Sequence, residues 1–163
     1  MIRYITDDKD IERMLQIERL SFPTPWDESD VRESVTQSRL RCMGVYEAGT
    51  LAGWGCVHTG ICEAHLMTLA VHPAYRRRGY GKALLDAFIR ASADAGYTYM
   101  ELECRKGNTA ARALYEAAGF IKTLTRPGYY ADTGEDAVIY VLPSLPDGNA
   151  ENDPYLLREN TED

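Results

Sequence analysis

Apolar and polar positions along this chain recur in two periods, and the changes from one to the other divide it into elements. Ile2 to Ile5 read as a short strand; Ile11, Met14 and Leu15 then recur at the spacing of a helix that Thr6 or Asp7 is placed to cap. Phe22-Pro23-Thr24-Pro25-Trp26 ends that helix, because each proline lacks an amide donor and restricts the residue before it. Asp27 or Ser29 opens a second helix with Val31 and Val35 on one face, closed by the polar segment 36–39. Two strands, 42–47 and 51–59, flank the hairpin turn Ala48-Gly49-Thr50, and a third runs over 62–71 until Pro73 stops it. The next helix carries Leu84, Leu85, Phe88, Ala91 and Ala95 inward and ends at Gly96. After a strand over 98–104, Asn108 caps a helix with Ala111, Leu114, Tyr115 and Ala118 on one stripe, which Gly119 terminates. Strands at 120–125 and 136–142 flank a Pro127-Gly128-Tyr129-Tyr130 loop. The predicted order, βααβββαβαββ, is an α/β domain with a mixed central sheet and helices on both faces, spanning residues 1–142.

Composition narrows the function. A chain of 163 residues, 45% hydrophobic and 26% charged, suits one globular domain. No apolar run approaches the roughly 20 residues of a membrane span, and no apolar stretch follows the charged start of the chain, so neither a membrane nor export is expected. Cys42, Cys56, Cys62 and Cys104 form no CxxC pair and read as free thiols of a cytoplasmic protein. His58 lies near Cys56 and Cys62, but the paired short spacings of a zinc site are missing, so no metal is expected. A net charge of −7 argues against nucleic acid as a partner. That charge is uneven: residues 143–163 carry a surplus of five negative charges, leaving the body near −2. This acidic tail reads as mobile and dispensable for folding.

The body also holds a tight basic cluster. Arg76-Arg77-Arg78-Gly79-Tyr80-Gly81-Lys82 joins a strand to a well-patterned helix, and strand, glycine loop and helix together make an anion site. Glycines let the backbone approach a phosphate, the first helical turn presents unpaired N–H groups, and the helix dipole favours negative charge. Lys82 is followed by Ala83 and the spacing is not GxxxxGK[ST], so this is not a Walker loop. A third glycine is missing where a dinucleotide fingerprint needs one.

The loop resembles the R/Q-x-x-G-x-G/A segment of GNAT acetyltransferases, which wraps the pyrophosphate of acetyl-coenzyme A. Two further stretches extend the resemblance over residues 2–142. Met67-Thr68-Leu69-Ala70-Val71 is similar to the central strand, and Asn108 to Phe120 to the N-x-x-A-x-x-x-Y-x-x-x-G-F helix. Within the superfamily, Phe22 with Pro25-Trp26, Leu102-Glu103-Cys104-Arg105, and Tyr129-Tyr130 before Gly134-Glu135-Asp136-Ala137 resemble the ribosomal-protein-alanine N-acetyltransferases. Pro23-Thr24 and Pro127-Gly128 depart from that pattern, both at the presumed peptide-binding rim. The resemblance implies a GNAT-type fold and acetyl-coenzyme A as co-substrate. It places Leu69, Ala70, Val71, Arg76, Arg77, Arg78, Gly79, Tyr80, Gly81, Lys82 and Asn108 at that co-substrate, with Phe22, Trp26, Tyr129 and Tyr130 at a peptide N-terminus.

Amine acetylation needs an uncharged amine, stabilisation of an oxyanion and a proton for the departing thiolate. A terminal α-amine titrates near ~7.7–8.0, so a modest base suffices. Glu103, on a strand between Leu102 and Cys104, is the candidate base, with Glu101 on the same face by two-residue alternation. His65 is a competing base. Tyr115 reads equally as a core aromatic by pattern; the resemblance assigns it the role of acid. No nucleophile assembly built on serine or cysteine is visible, so direct transfer in a ternary complex is expected. The leading acceptor is the N-terminal alanine of a ribosomal protein. The alternatives are a small amine or lysine side chain, and a non-catalytic acyl-coenzyme A sensor.

Overall fold

The computed structural model describes residues 1–146. Seven strands and four α-helices follow in the expected order: β1 (Ile2–Tyr4), α1 (Ile11–Ser21), α2 (Glu28–Thr36), β2 (Leu40–Glu47), β3 (Thr50–Thr59), β4 (Glu63–Val71), α3 (Tyr80–Asp94), β5 (Tyr99–Arg105), α4 (Thr109–Ala117), β6 (Ile121–Tyr130) and β7 (Glu135–Leu142). They form one sheet in the order β1-β2-β3-β4-β5-β7-β6. It is mixed: β4 and β5 are parallel, and every other neighbouring pair is antiparallel.

The two faces of the sheet bury two cores. On one, α1 and α2 cover Cys42, Tyr46, Leu51, Trp54, Cys56 and Ala70 with Ile11, Met14, Leu15, Ile17 and Val31. On the other, Leu84, Leu85 and Phe88 of α3 and Tyr115 of α4 pack on Val57, Leu66, Met100, Leu102 and Tyr140. Burying each such large side chain contributes about 1.5–3 kcal/mol, so the helices are held by these faces more than by their own propensity. Local capping sets where they start. Asp27 and Asp30 form a reciprocal capping box at α2, and the Asn108 carboxamide accepts from Ala111 N–H at α4. Asp7 caps a short 3₁₀ turn ahead of α1, so the helix proper begins at Ile11.

Two boundaries differ from the sequence-based expectation. Pro127-Gly128-Tyr129-Tyr130 is not a loop: β6 runs through it to Tyr130, with an irregular register between Arg126 and Tyr130. β6 is the edge strand, where a proline without an amide donor breaks no ladder bond. Packing also continues past residue 142. Leu145 is buried in the α3/α4-side core and its N–H donates to Thr98 O at 3.0 Å. The remainder of the expected tail, 147–163, lies outside the described residues. Among the described residues no helix is long and apolar enough to cross a membrane, and no group of three or more His, Cys, Asp or Glu is placed to hold a metal ion.

Candidate active site

The site exists because two parallel neighbours part company. Pairing between β4 and β5 runs from Glu63↔Tyr99 to Leu66↔Leu102 and stops. Beyond it Thr68–Val71 stay on β3 while Glu103–Arg105 stay on β7, so a wedge opens through the sheet. The ladder with β3 decides which backbone groups of β4 face that wedge. His72 N–H bonds Ala52 O, so alternation turns Ala70 and Thr68 towards β3 and leaves the N–H and C=O of Leu69 and Val71 on the open side. Val71 O there accepts from Arg76 Nε at 2.9 Å.

One cavity, of about 390 Å³, fills the α3/α4 side of the wedge between Leu69–Val71, the Arg76–Gly81 loop and α4. At its end α3 begins. Gly79 is its N-cap with φ +82°, a left-handed conformation that only glycine adopts without strain, and Arg77 pays for φ +64° in the same loop. The first intrahelical bond runs from Ala83 N–H to Gly79 O, which leaves the N–H groups of Tyr80, Gly81 and Lys82 outside the helical ladder. An added Cβ at Gly81 would meet only ordinary contacts, with Leu114 at 3.6 Å and Val71 at 3.9 Å. The basic cluster divides. Arg76 and Arg77 line the cavity. Arg78 turns to Glu47, at 2.9 Å, and Lys82 to Asp86, at 2.6 Å, and neither lines it. Tyr80 lines it, and its hydroxyl donates to Glu47 at 2.8 Å. An αL glycine, free first-turn donors and two arginines beside an apolar channel fit a diphosphate with an extended arm.

A second cavity, of about 190 Å³, meets the first, and Phe22, Leu69, Asn108, Ala111 and Tyr115 belong to both. Glu103 lines this second cavity alone. Its carboxylate stands 3.7 Å from the Arg126 guanidinium. Tyr115 sits at the junction, its ring centroid 5.8 Å from that of Phe120 and 6.2 Å from that of Tyr140. Burial, then the neighbouring Cys104 and Tyr130, push its hydroxyl well above the ordinary value of 10.0. The structure thus brings Glu103 and Tyr115 to one cavity from different elements. His65 and Glu101 line neither cavity; they face each other at 3.2 Å on the paired part of β4 and β5.

Of the four residues placed by resemblance at a peptide N-terminus, Phe22, Trp26 and Tyr130 line the second cavity, whereas Tyr129 stands outside it, 45% exposed. The rim contains residues to which the sequence reading gave no role. Arg105 lies 4.0 Å over the Tyr130 ring and binds Asp132 at 2.7 Å, and Asp132 accepts from Thr24 Oγ1 at 2.6 Å. This chain ties the α1–α2 connection to the β6–β7 hairpin, and Arg105 with Thr24 holds the Asp132 carboxyl well below its usual range. Glu18 of α1 is the other unforeseen member. It is 1% exposed, lines the second cavity, and accepts from Thr68 Oγ1 at 2.9 Å and from Trp26 N–H at 3.3 Å. Burial raises its pKa. An acid four residues after Met14, on the apolar stripe of α1, was the signal available for it.

The family described as "Acetyltransferase (GNAT) family" matches residues 11–120. The [ribosomal protein bS18]-alanine N-acetyltransferase of Escherichia coli K12 is 34% identical over 136 residues, covering 82% of this chain and 91% of that protein. The crystal structure of the ribosomal-protein-S18-alanine N-acetyltransferase from Escherichia coli superposes with a TM-score of 0.80 at 31% identity, over 92% of this chain and 98% of the other. Ard1 from Thermoplasma volcanium gives a TM-score of 0.80 at 27% identity, over 90% and 98%.

Proposed function

The chain belongs to the GNAT family and is an acetyl-coenzyme A-dependent N-acetyltransferase, and from that premise we propose that its acceptor is a protein N-terminus, with the alanine of a ribosomal protein as the leading candidate. The observation that carries this reading is the meeting of the two cavities at Tyr115, with phosphate-binding features at the far end of one and a carboxylate in the other. Acetyl-coenzyme A would lie with its diphosphate on the first turn of α3, Arg76 and Arg77, and its pantetheine arm along the backbone edge of Leu69 and Val71 that β5 leaves unpaired, where Arg76 holds Val71 O. The thioester then falls where the cavities join. The second cavity, between Trp26, Tyr130 and Glu103, admits a chain end rather than a bulky side chain on a folded surface.

In this scheme Glu103 accepts the amine proton, directly or through water, and the amine attacks the thioester carbonyl within a ternary complex. N–H groups on the open edge of β4 stabilise the charge that develops on the carbonyl oxygen. Tyr115 gives its proton to the departing thiolate. The Thr24–Asp132–Arg105 chain keeps the two sides of the acceptor cavity in place while this happens.

Thiol release from acetyl-coenzyme A over a panel of acceptors tests the reading. Peptides that begin with alanine and continue with basic residues should outperform both an N-terminally blocked lysine peptide and free small amines, because a protein of net charge −7 attracts basic chains. Equal rates on the blocked lysine peptide remove the N-terminal reading. Binding of acetyl-coenzyme A without turnover on any acceptor marks a sensor.

A further inference from the structure

We propose that Glu18 is the counter-charge that receives the acceptor as an ammonium ion, before Glu103 takes its proton. The inference deepens the acceptor reading above and rests on it. Glu18 is buried, yet both of its present hydrogen-bond partners, the Thr68 hydroxyl and the Trp26 amide, are neutral. Among the described residues no Lys, Arg or His forms an ion pair with it, and Asp30, which perturbs it electrostatically, is also negative. The other acids around the cavity are balanced: Glu103 faces Arg126 at 3.7 Å, and Arg105 faces Asp132 at 2.7 Å and Glu135 at 3.4 Å.

A buried carboxylate without a cation is costly, and two neutral donors occupy only part of its roughly four acceptor positions. What Glu18 lacks is one positive charge with spare N–H donors. An α-amine with a pKa near ~7.7–8.0 arrives at neutral pH mostly as an ammonium ion with three such donors. The cavity that Glu18 lines is the one that also holds Glu103. Two acids therefore divide the work there: one without a cation binds the charged acceptor, and the other, already facing a guanidinium, removes the proton.

The test compares Glu18→Gln with Glu18→Asp. Gln keeps the length and one acceptor oxygen but loses the charge; Asp keeps the charge one methylene shorter. For an alanine-first peptide, Glu18→Gln should raise KM at least about tenfold, the loss expected for one charge-assisted bond, with kcat within about threefold of wild type. Acetyl-coenzyme A affinity by calorimetry should be unchanged, and the melting temperature should not fall by more than about 3 °C. Glu18→Asp should lie between Gln and wild type.

A binding measurement isolates the amine. With coenzyme A present, wild type should prefer the alanine peptide to its propionyl analogue, which lacks only the amine, and Glu18→Gln should lose that preference. A wild-type KM in Glu18→Gln overturns the proposal. So does Gln outperforming Asp, which would mark a hydrogen-bonded tie between α1 and β4 with no need of charge, or a joint fall of kcat, cofactor affinity and melting temperature. If wild type acetylates a small amine and no peptide, the peptide reading fails in wild type itself, and the same comparison on that amine and its des-amino analogue still decides the role of Glu18.

Discussion

Replacing Tyr115 by Phe separates the chemistry of the site from its architecture. The side chain is 7% exposed, and its packing is made by the ring, against Phe120 and Tyr140. Among the described residues its hydroxyl has no hydrogen-bond partner, and the residue lines both cavities. Phe keeps the ring contacts and breaks no bond, so stability should change by less than about 1 kcal/mol, the worth of a typical hydrogen bond. In a domain of this size that moves the melting temperature by no more than about 4 °C. If the hydroxyl protonates the leaving thiolate, turnover should fall by about 10²- to 10⁴-fold. Each tenfold step is about 1.4 kcal/mol of barrier, so the kinetic loss is several times the largest structural loss.

The pH profile adds a second constraint. Because burial holds the Tyr115 hydroxyl well above its ordinary value of 10.0, the acid stays protonated through the working range. Wild-type kcat should show no descending limb up to about pH 9.5, and raising the pH should not rescue Tyr115→Phe, since the missing proton is needed on the leaving group. Thiol release at saturating acetyl-coenzyme A, with parallel thermal melts, measures both. Turnover within about threefold of wild type, or a loss of activity matched by a comparable loss of stability, would refute the reasoning.

Three further outcomes are expected. Glu103→Gln should lower turnover at neutral pH by about 10²- to 10⁴-fold with unchanged acetyl-coenzyme A affinity, and part of the loss should return towards pH 9 as free amine accumulates; a flat ratio across the pH–rate profile removes it as the base. Gly81→Val should fold, because an added Cβ meets only ordinary contacts, the nearest at 3.6 Å, but should weaken coenzyme A binding in calorimetry by at least about tenfold, on a site whose affinity also falls with salt. The folded state should lose stability at high pH: burial pushes Cys104 up to about 11 and Tyr130 up to about 12, so folded groups keep protons that the unfolded chain gives up near their ordinary values. The stabilisation is therefore complete below about pH 8 and lost as the pH climbs through these raised values, which denaturant titrations at pH 7, 9 and 10.5 would register.

What could be read from the chain was what neighbours in sequence decide. A glycine loop at a helix start is a local object: Gly79, Gly81 and the first turn of α3 lie within a few residues, and an αL glycine ahead of a patterned helix implies free N–H groups wherever the helix ends up. The Asn108 cap and the element order followed from the same short-range rules. Charge did not follow so simply. Four basic residues crowd the loop, but Glu47, contributed by another strand, draws Arg78 away, and Asp86 one helical turn on draws Lys82, so two arginines remain at the cavity.

Sequence alone determined the order of the elements and most of their extents, the glycine loop ahead of α3 and the presence of an acid and a tyrosine, because hydrophobic period, caps and glycine conformations act over a few residues; the 127–130 segment, read as a loop, was the exception. Only the tertiary structure decided that these groups share a site. The wedge opens because β4 follows β3 and β5 follows β7 once their own pairing ends at Leu66 and Leu102, and no local pattern encodes where two ladders diverge. The same long-range placement joins Thr24 to Asp132 across 108 positions, carries Tyr129 out of the second cavity, and sets the buried carboxylate of Glu18 at its wall, where packing between distant elements rather than residue type fixes which charges find a partner within the fold.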